Sequence, residues 1–486
     1  MLKYFLLLSL GLFSLLADEG MWLFNAIPQQ YLQTTYGITL DKGWLDRLQR
    51  ACLRVSLGGS ASFVSSQGLL LTNHHVGSKA IYHLSSESNN LMENGFLAHS
   101  LEEELPCPNL YVDKLISIQD VTDKVIEGLS DKLSSQEKEA VKKAAIATLI
   151  QEAKNTTYLQ PQVVSLYQGA RYHLYLYKRY SDIRLVMAPE KSIAFFGGNE
   201  DNFEFPRYDL DICFFRVYDD GKPLSTPDYL PWSPQGPQEN IPLFVAGHPG
   251  KTDRMLTAAH LRFFKEVDLP LAYRLLEDRL RDCEAFSLQH PENQRIAAQD
   301  LFSIANTFKV IKALTRGLQE ESLLQNKLQE ELSFQESKAR TRLEAALKEA
   351  KDYFREYLLL EKSSPTFSKL FTIAKHLVRL AEEGAKPETE KLPEYLESEL
   401  ATLRELIVSE EPIYKELEKV HLRGALRRLC QELPSYHPAL KLLSETSVDA
   451  IFDTTTLFSK DKRAYLLDHP EAITSCQDSL IAFVKA

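Results

Sequence analysis

The segment Gly58-Gly-Ser-Ala-Ser-Phe-Val-Ser-Ser-Gln-Gly-Leu-Leu-Leu-Thr-Asn-His-His75 reads as a strand, a turn and a second strand that ends on paired histidines. Phe63 and Val64 centre the first strand, Ser65-Ser-Gln-Gly68 supplies turn chemistry, and Leu69-Leu-Leu71 is a short apolar run with the polar tail Thr72-Asn-His-His75. Two such strands in succession predict antiparallel β structure. An imidazole delivered at a strand end can pack or can act as a general base, and the segment alone leaves both readings open.

Working outward, residues 18 to about 112 mix short apolar runs with turn residues, which predicts β structure with a helix over Leu45 to Cys52. Val121 to Ala153 then places apolar residues at helical spacing among Lys, Glu and Gln, so a helical excursion interrupts the strands. Strand signals return over Val163 to Met187 and Ile212 to Tyr218, and Leu243-Phe-Val-Ala246 is expected to be a short strand among Pro- and Gly-punctuated loops. Past about Thr257 glycine falls to Gly317, Gly384 and Gly424 while Leu, Glu, Lys, Ala and Arg dominate. Stripes such as Leu343, Leu347, Ala350, Phe354 and Leu358, or Leu324, Leu328 and Leu332, predict helices packed on one another with joints near Pro365 and Pro387. The expected class is α+β, with a β-barrel-rich part over 18–256 and a helical domain over 257–486.

The chain has 486 residues, too many for one hydrophobic core, and its net charge of −11 argues against nucleic acid or anionic lipid as a general partner. Met1-Leu-Lys3, the apolar run Tyr4 to Leu16 and Ala17 have the layout of a secretory signal peptide over 1–17. Leu15 stands where a small residue is preferred, which leaves an uncleaved anchor as the alternative. Export is the expectation. The six cysteines are widely spaced without a Cys-x-x-Cys pattern, so one or two disulfides are admissible and structural zinc is not called for. His74 and His75 have no His-Glu-x-x-His context, and Gly247 to Thr252 has Val245 where a phosphate-binding loop needs its first glycine. No metal or cofactor is therefore expected.

A second stretch, Phe195-Phe-Gly-Gly-Asn-Glu-Asp-Asn-Phe-Glu-Phe-Pro-Arg-Tyr-Asp-Leu-Asp211, makes a family visible. Together with Asp18-Glu-Gly-Met-Trp22, Asn90-Leu-Met-Glu-Asn-Gly-Phe96 and Gly247-His-Pro-Gly-Lys-Thr-Asp-Arg254, it resembles the bacterial periplasmic dipeptidyl-peptidases of the 7 and 11 types. The resemblance implies a serine exopeptidase of chymotrypsin-like fold with an inserted helical domain, acting on peptides with a free N-terminus in the periplasm. It makes His75 the general base, since the family's motif is Thr-Asn-His-His-Cys with Val76 here in place of Cys, and Asp211 the carboxylate that orients it. It also implies that Asn202 and Phe203 receive the substrate's amino group and that Asn306 helps hold it, although an exposed helix Asn is the competing reading of the last. Phe203, Phe205 and Tyr208 replace two tryptophans and a histidine of the family pattern, which removes indole and imidazole donors.

The nucleophile is missing from this picture. The family's serine lies in a Gly-Asn-Ser-Gly-Ser-Pro segment that residues 1–486 do not contain, and oxyanion donors need a glycine-rich turn that the last hundred residues do not offer. Ser60, Ser78 and Ser475 lack that context and are read as structural. The expectation is a dipeptidyl aminopeptidase scaffold with an incomplete second barrel. A separate chain could carry the serine, a homodimer is admissible, and the alternatives are an inactive peptide-binding protein or a truncated fragment.

Overall fold

The computed structural model describes residues 20–486 apart from 57, 87, 109, 131, 195–207, 240, 250–252, 254–255, 333–336, 363–366, 389, 397–399 and 410–411. Strands β1 (Cys52–Val55), β2 (Ser60–Phe63), β3 (Leu69–Thr72), β4 (Phe96–Leu97), β5 (Leu105–Pro106), β6 (Val112–Asp120), β7 (Gln160–Leu166), β8 (Arg171–Tyr180), β9 (Asp182–Ala188), β10 (Cys213–Asp219) and β11 (Lys222–Pro223) form one sheet. All of its pairings are antiparallel, and its main path runs β4-β9-β10-β3-β2-β1-β6-β8-β7. The chain is α+β, as its sequence predicts.

Only Ser181 separates β8 from β9, yet these strands lie at distant places in the sheet order. The sheet must therefore curl, and it does so around a core that includes Leu53, Phe63, Leu70, Leu185 and Phe215. The turn between β2 and β3 depends on Gly68. Its φ is +69°, and a Cβ there would sit 2.7 Å from the Val217 carbonyl oxygen. The expected helical excursion becomes two helices, Thr122–Ile126 and Ser135–Thr156, the second opened by a Ser134/Glu137 capping box. Leu149 and Ala153 of that helix pack with Val125, Tyr172 and Leu174 beside β8.

Three local expectations need correction. The helix expected over Leu45 to Cys52 spans Lys42–Ala51, because the Asp41 carboxylate caps it by accepting from Trp44 N–H at 2.9 Å, and Cys52 already belongs to β1. Leu243 to Ala246 is not a strand: it has no ladder partner among the described residues, Leu243 and Val245 face solvent, and Phe244 meets Trp44 edge-on at 5.7 Å. All six cysteines are free thiols, so the disulfides the sequence admits do not form here.

From residue 258 onward the described elements are helices. Ala258–Phe263 runs through a π turn, Phe264–Asp268, into Leu269–Ser287. Pro270 has no N–H to donate back along the helix, and the wider turn just before it absorbs the irregularity. Among the predicted stripes, Leu324 and Leu358 are buried and Leu343, Leu347, Ala350 and Phe354 half-buried, whereas Leu332, at the end of its helix, is exposed. The largest core lies beyond, where Leu370, Ile373 and Leu377 of the helix Lys369–Gly384 meet Leu422, Phe452 and Leu480. Buried Glu418, on the helix Lys415–Glu432, ties the two by accepting from Lys369 and Leu370 N–H at 3.1 and 2.7 Å.

Candidate active site

The pairing of β3 with β10 builds the site. Cys213 lies opposite Thr72, so continuing past that pair carries Asp211 to the same end of the sheet as Asn73, His74 and His75. The sequence reading left those residues as a polar strand tail. The structure instead starts a helix there, His74–Leu84, with Asn73 at the N-cap. Gly77 lets this helix sit down on β10, since a Cβ at that position would fall 2.7 Å from Cys213 Sγ and 2.9 Å from the Phe215 ring. Gly77→Ala should therefore cost about 1–3 kcal/mol through overpacking. A chemical-denaturation midpoint unchanged from the parent would contradict this seating.

His75 Nδ1 and Asp211 Oδ2 are 2.6 Å apart, while Asp211 Oδ1 accepts from the His75 backbone N–H at 2.9 Å. A carboxylate is acceptor-only, so the ring proton sits on Nδ1 and Nε2 is left as the basic nitrogen. Asn73 Nδ2 donates to Asp211 Oδ2 at 3.1 Å and to the Asp211 carbonyl at 3.0 Å. The Asp211 side chain is 10% exposed and that of His75 41%. Burial pushes the Asp211 carboxyl up, but the His75 ring and backbone hydrogen bonds, the charge of His75 and the Asn73 amide outweigh it and hold it below its ordinary value. This is an ionised acid orienting a half-exposed imidazole.

His74 is the packing partner of the pair. It is 3% exposed, its Nε2 meets no hydrogen-bond partner among the described residues, and burial first, then His75, lowers its pKa against the opposing pull of Asp211. Ser60 and Ser78 are both engaged in local hydrogen bonds: Ser60 Oγ accepts from His248 N–H at 2.7 Å, and Ser78 Oγ donates to the His75 carbonyl at 2.8 Å. Gly247 and His248 thus anchor a loop on β2.

Asn202 and Phe203, matched to the substrate's amino group, lie outside the described residues, as does Phe205. Tyr208 is nearly fully exposed. Asn306 is half-buried within the helix Pro291–Gly317. The sequence reading missed Asn73. An Asn ahead of a helix is a legible cap signal, but its bond to Asp211 follows only from the β3–β10 pairing.

The profile of the Peptidase S46 family matches residues 17–486. The chain is 31% identical over 291 residues to an Asp/Glu-specific dipeptidyl-peptidase of Capnocytophaga gingivalis, covering 58% of this chain and 41% of that protein. Its match to an Asp/Glu-specific dipeptidyl-peptidase of Shewanella putrefaciens is 28% identical over 490 aligned positions, covering 93% of this chain and 66% of the relative. It is also 32% identical over 270 residues to dipeptidyl-peptidase 7 of Phocaeicola vulgatus, covering 51% and 37%. These matches thus span between 37% and 66% of the relatives' own lengths. Among solved structures, that of Porphyromonas endodontalis DPP11 in complex with the dipeptide Arg-Glu superposes with a TM-score of 0.70 at 24% identity, covering 96% of this chain and 73% of the other. That likeness is one of fold. The match of the family profile over nearly the whole chain places it: it belongs to the S46 peptidases.

Proposed function

We propose that this chain carries the base half of a serine dipeptidyl aminopeptidase site, which releases dipeptides from peptides with a free N-terminus. The observation that carries the reading is the 2.6 Å contact of His75 Nδ1 with Asp211, at the two positions the family resemblance selects. In this reading His75 Nε2 takes the proton of a serine hydroxyl as it attacks the scissile carbonyl, then returns it to the leaving amine, while Asp211 stabilises the imidazolium. Asn202 holds the substrate ammonium, with Phe203 as an aromatic wall and Asn306 reaching from the helices. The attacking serine comes from a Gly-x-Ser-Gly segment outside residues 1–486.

The 486-residue chain by itself is accordingly expected to release no dipeptide and to resist a serine-directed phosphonate. Stoichiometric labelling that vanishes on His75→Ala would place the nucleophile within this sequence and overturn the proposed supply of the serine.

The proposal includes export by the segment 1–17. No described helix is long and apolar enough to cross a membrane. Mass spectrometry of the protein from the periplasmic fraction should find a mature start near Asp18. An intact Met1 terminus in the cytosolic fraction would contradict it.

A further inference from the structure

Asn73 occupies the N-cap of the helix His74–Leu84 with extended backbone, φ −76° and ψ 148°, yet its side chain makes no capping bond. An Asn in that place ordinarily accepts from the N–H two or three residues on. Here its amide turns away from its own helix and donates to Asp211, at 3.0 Å to the carbonyl and 3.1 Å to Oδ2. The N–H it leaves, that of His75, is taken over by Asp211 Oδ1 at 2.9 Å. The cap has been exchanged across the sheet: Asp211 caps the helix, and Asn73 holds Asp211.

The exchange has a geometric consequence. Both carboxylate oxygens are fixed, Oδ1 by one N–H and Oδ2 by the Asn73 amide together with the His75 ring. Rotating the carboxylate would break three hydrogen bonds at once. Residue 73 is itself held at both sides, because its carbonyl accepts from Gly77 N–H at 3.1 Å and from the Cys213 thiol at 3.4 Å. The orientation of the amide follows from its partners, since turning it over would point its oxygen at two oxygens. Donation to Oδ2 also draws electron density from the atom that faces Nδ1, so the shared proton stays on the imidazole.

We propose that Asn73 is a positioning residue for the base: it locks the Asp211 carboxylate in the one rotation that keeps the proton on His75 Nδ1 and Nε2 basic. The inference rests on the reading of His75 and Asp211 as base and orienting acid. Its function is distinct from helix capping, which Asp211 already performs.

The test is the exchange with water of the downfield His75 Nδ1 proton in the full 486-residue chain, assigned by its disappearance in His75→Ala. Asn73→Ala should accelerate that exchange at least tenfold while circular dichroism stays that of the parent. Asn73→Ser separates positioning from capping, because serine is a good N-cap but its hydroxyl is too short to reach Asp211. It should exchange as fast as Asn73→Ala. Exchange within twofold of the parent in Asn73→Ala, or restored to the parent rate in Asn73→Ser, overturns the proposal. The readout needs no turnover, so a peptidase that never assembles would retire the functional reading while the spectrum still decides this one.

Discussion

Asp211→Asn should lower kcat of the assembled peptidase about 10⁴-fold with KM little changed, a loss of about 5 kcal/mol of transition-state stabilisation. The change is nearly isosteric, and its effect is electronic. An amide keeps one acceptor oxygen for the three donors that share the carboxylate; with that oxygen on the His75 backbone N–H, its nitrogen displaces the Asn73 amide and offers a hydrogen to Nδ1, so the ring takes the other tautomer and puts its proton on Nε2. The base would then be occupied before the reaction starts. Because Asp211 is held below its ordinary carboxyl range, it stays charged through mildly acidic pH. A carboxyl depressed in the folded state contributes stability above its unfolded pKa, and that contribution is lost as pH falls through the lower folded value. The acid limb of the pH–rate profile should therefore not follow Asp211. A loss under tenfold in kcat would remove Asp211 from the mechanism.

Arg463→Ala should be the largest effect expected on stability, about 3–5 kcal/mol, since each buried carbonyl left without its donor costs about 1–3 kcal/mol. Arg463 is 3% exposed and donates to four backbone carbonyls: Ile407 at 2.7 Å, Leu457 at 2.9 Å, Phe458 at 3.0 Å and Ser409 at 2.9 Å. Two of these acceptors lie at the end of the helix Leu400–Ile407, where carbonyls lack helical partners and a cation suits the dipole. Burial lowers the guanidinium pKa, and the fork of donors offsets that penalty. Truncation would strand carbonyls beside Leu457 in the main helical core without their donor. Denaturant unfolding followed by helical circular dichroism measures this, and a loss under about 1 kcal/mol would show that the helical core does not depend on Arg463. Arg463→Lys should fall between, since one ammonium cannot reach all four acceptors.

How far the sequence reveals these features depends on the range of the interaction. The hairpin around Gly68 was legible because turn chemistry is local, and the helices beyond 257 were legible because their stripes repeat within a turn or two. Leu243 to Ala246 misled because strand character needs a neighbouring strand, and an apolar run cannot show whether one is there. The helix at His74 was missed because Leu69-Leu-Leu71 made the residues after it look like a strand tail. His75 and Asp211 emerged through family resemblance; periodicity gave no hint that residues 136 apart meet. Asn73 and Arg463 stayed hidden for the same reason, as each bonds to backbone or carboxylate brought in by tertiary pairing. Asn202 and Phe203 fall outside the described residues, so their role stands on the resemblance.

His75, oriented by Asp211, is proposed here as the base of an S46 peptidase site. The most direct measurement supplies this chain with a family segment bearing Gly-x-Ser-Gly and follows dipeptide release from a peptide with a free N-terminus, for the parent and for His75→Ala. The parent chain should release dipeptide and show phosphonate labelling of the added serine, and His75→Ala should show neither above background. Equal release or equal labelling by the two chains would contradict it.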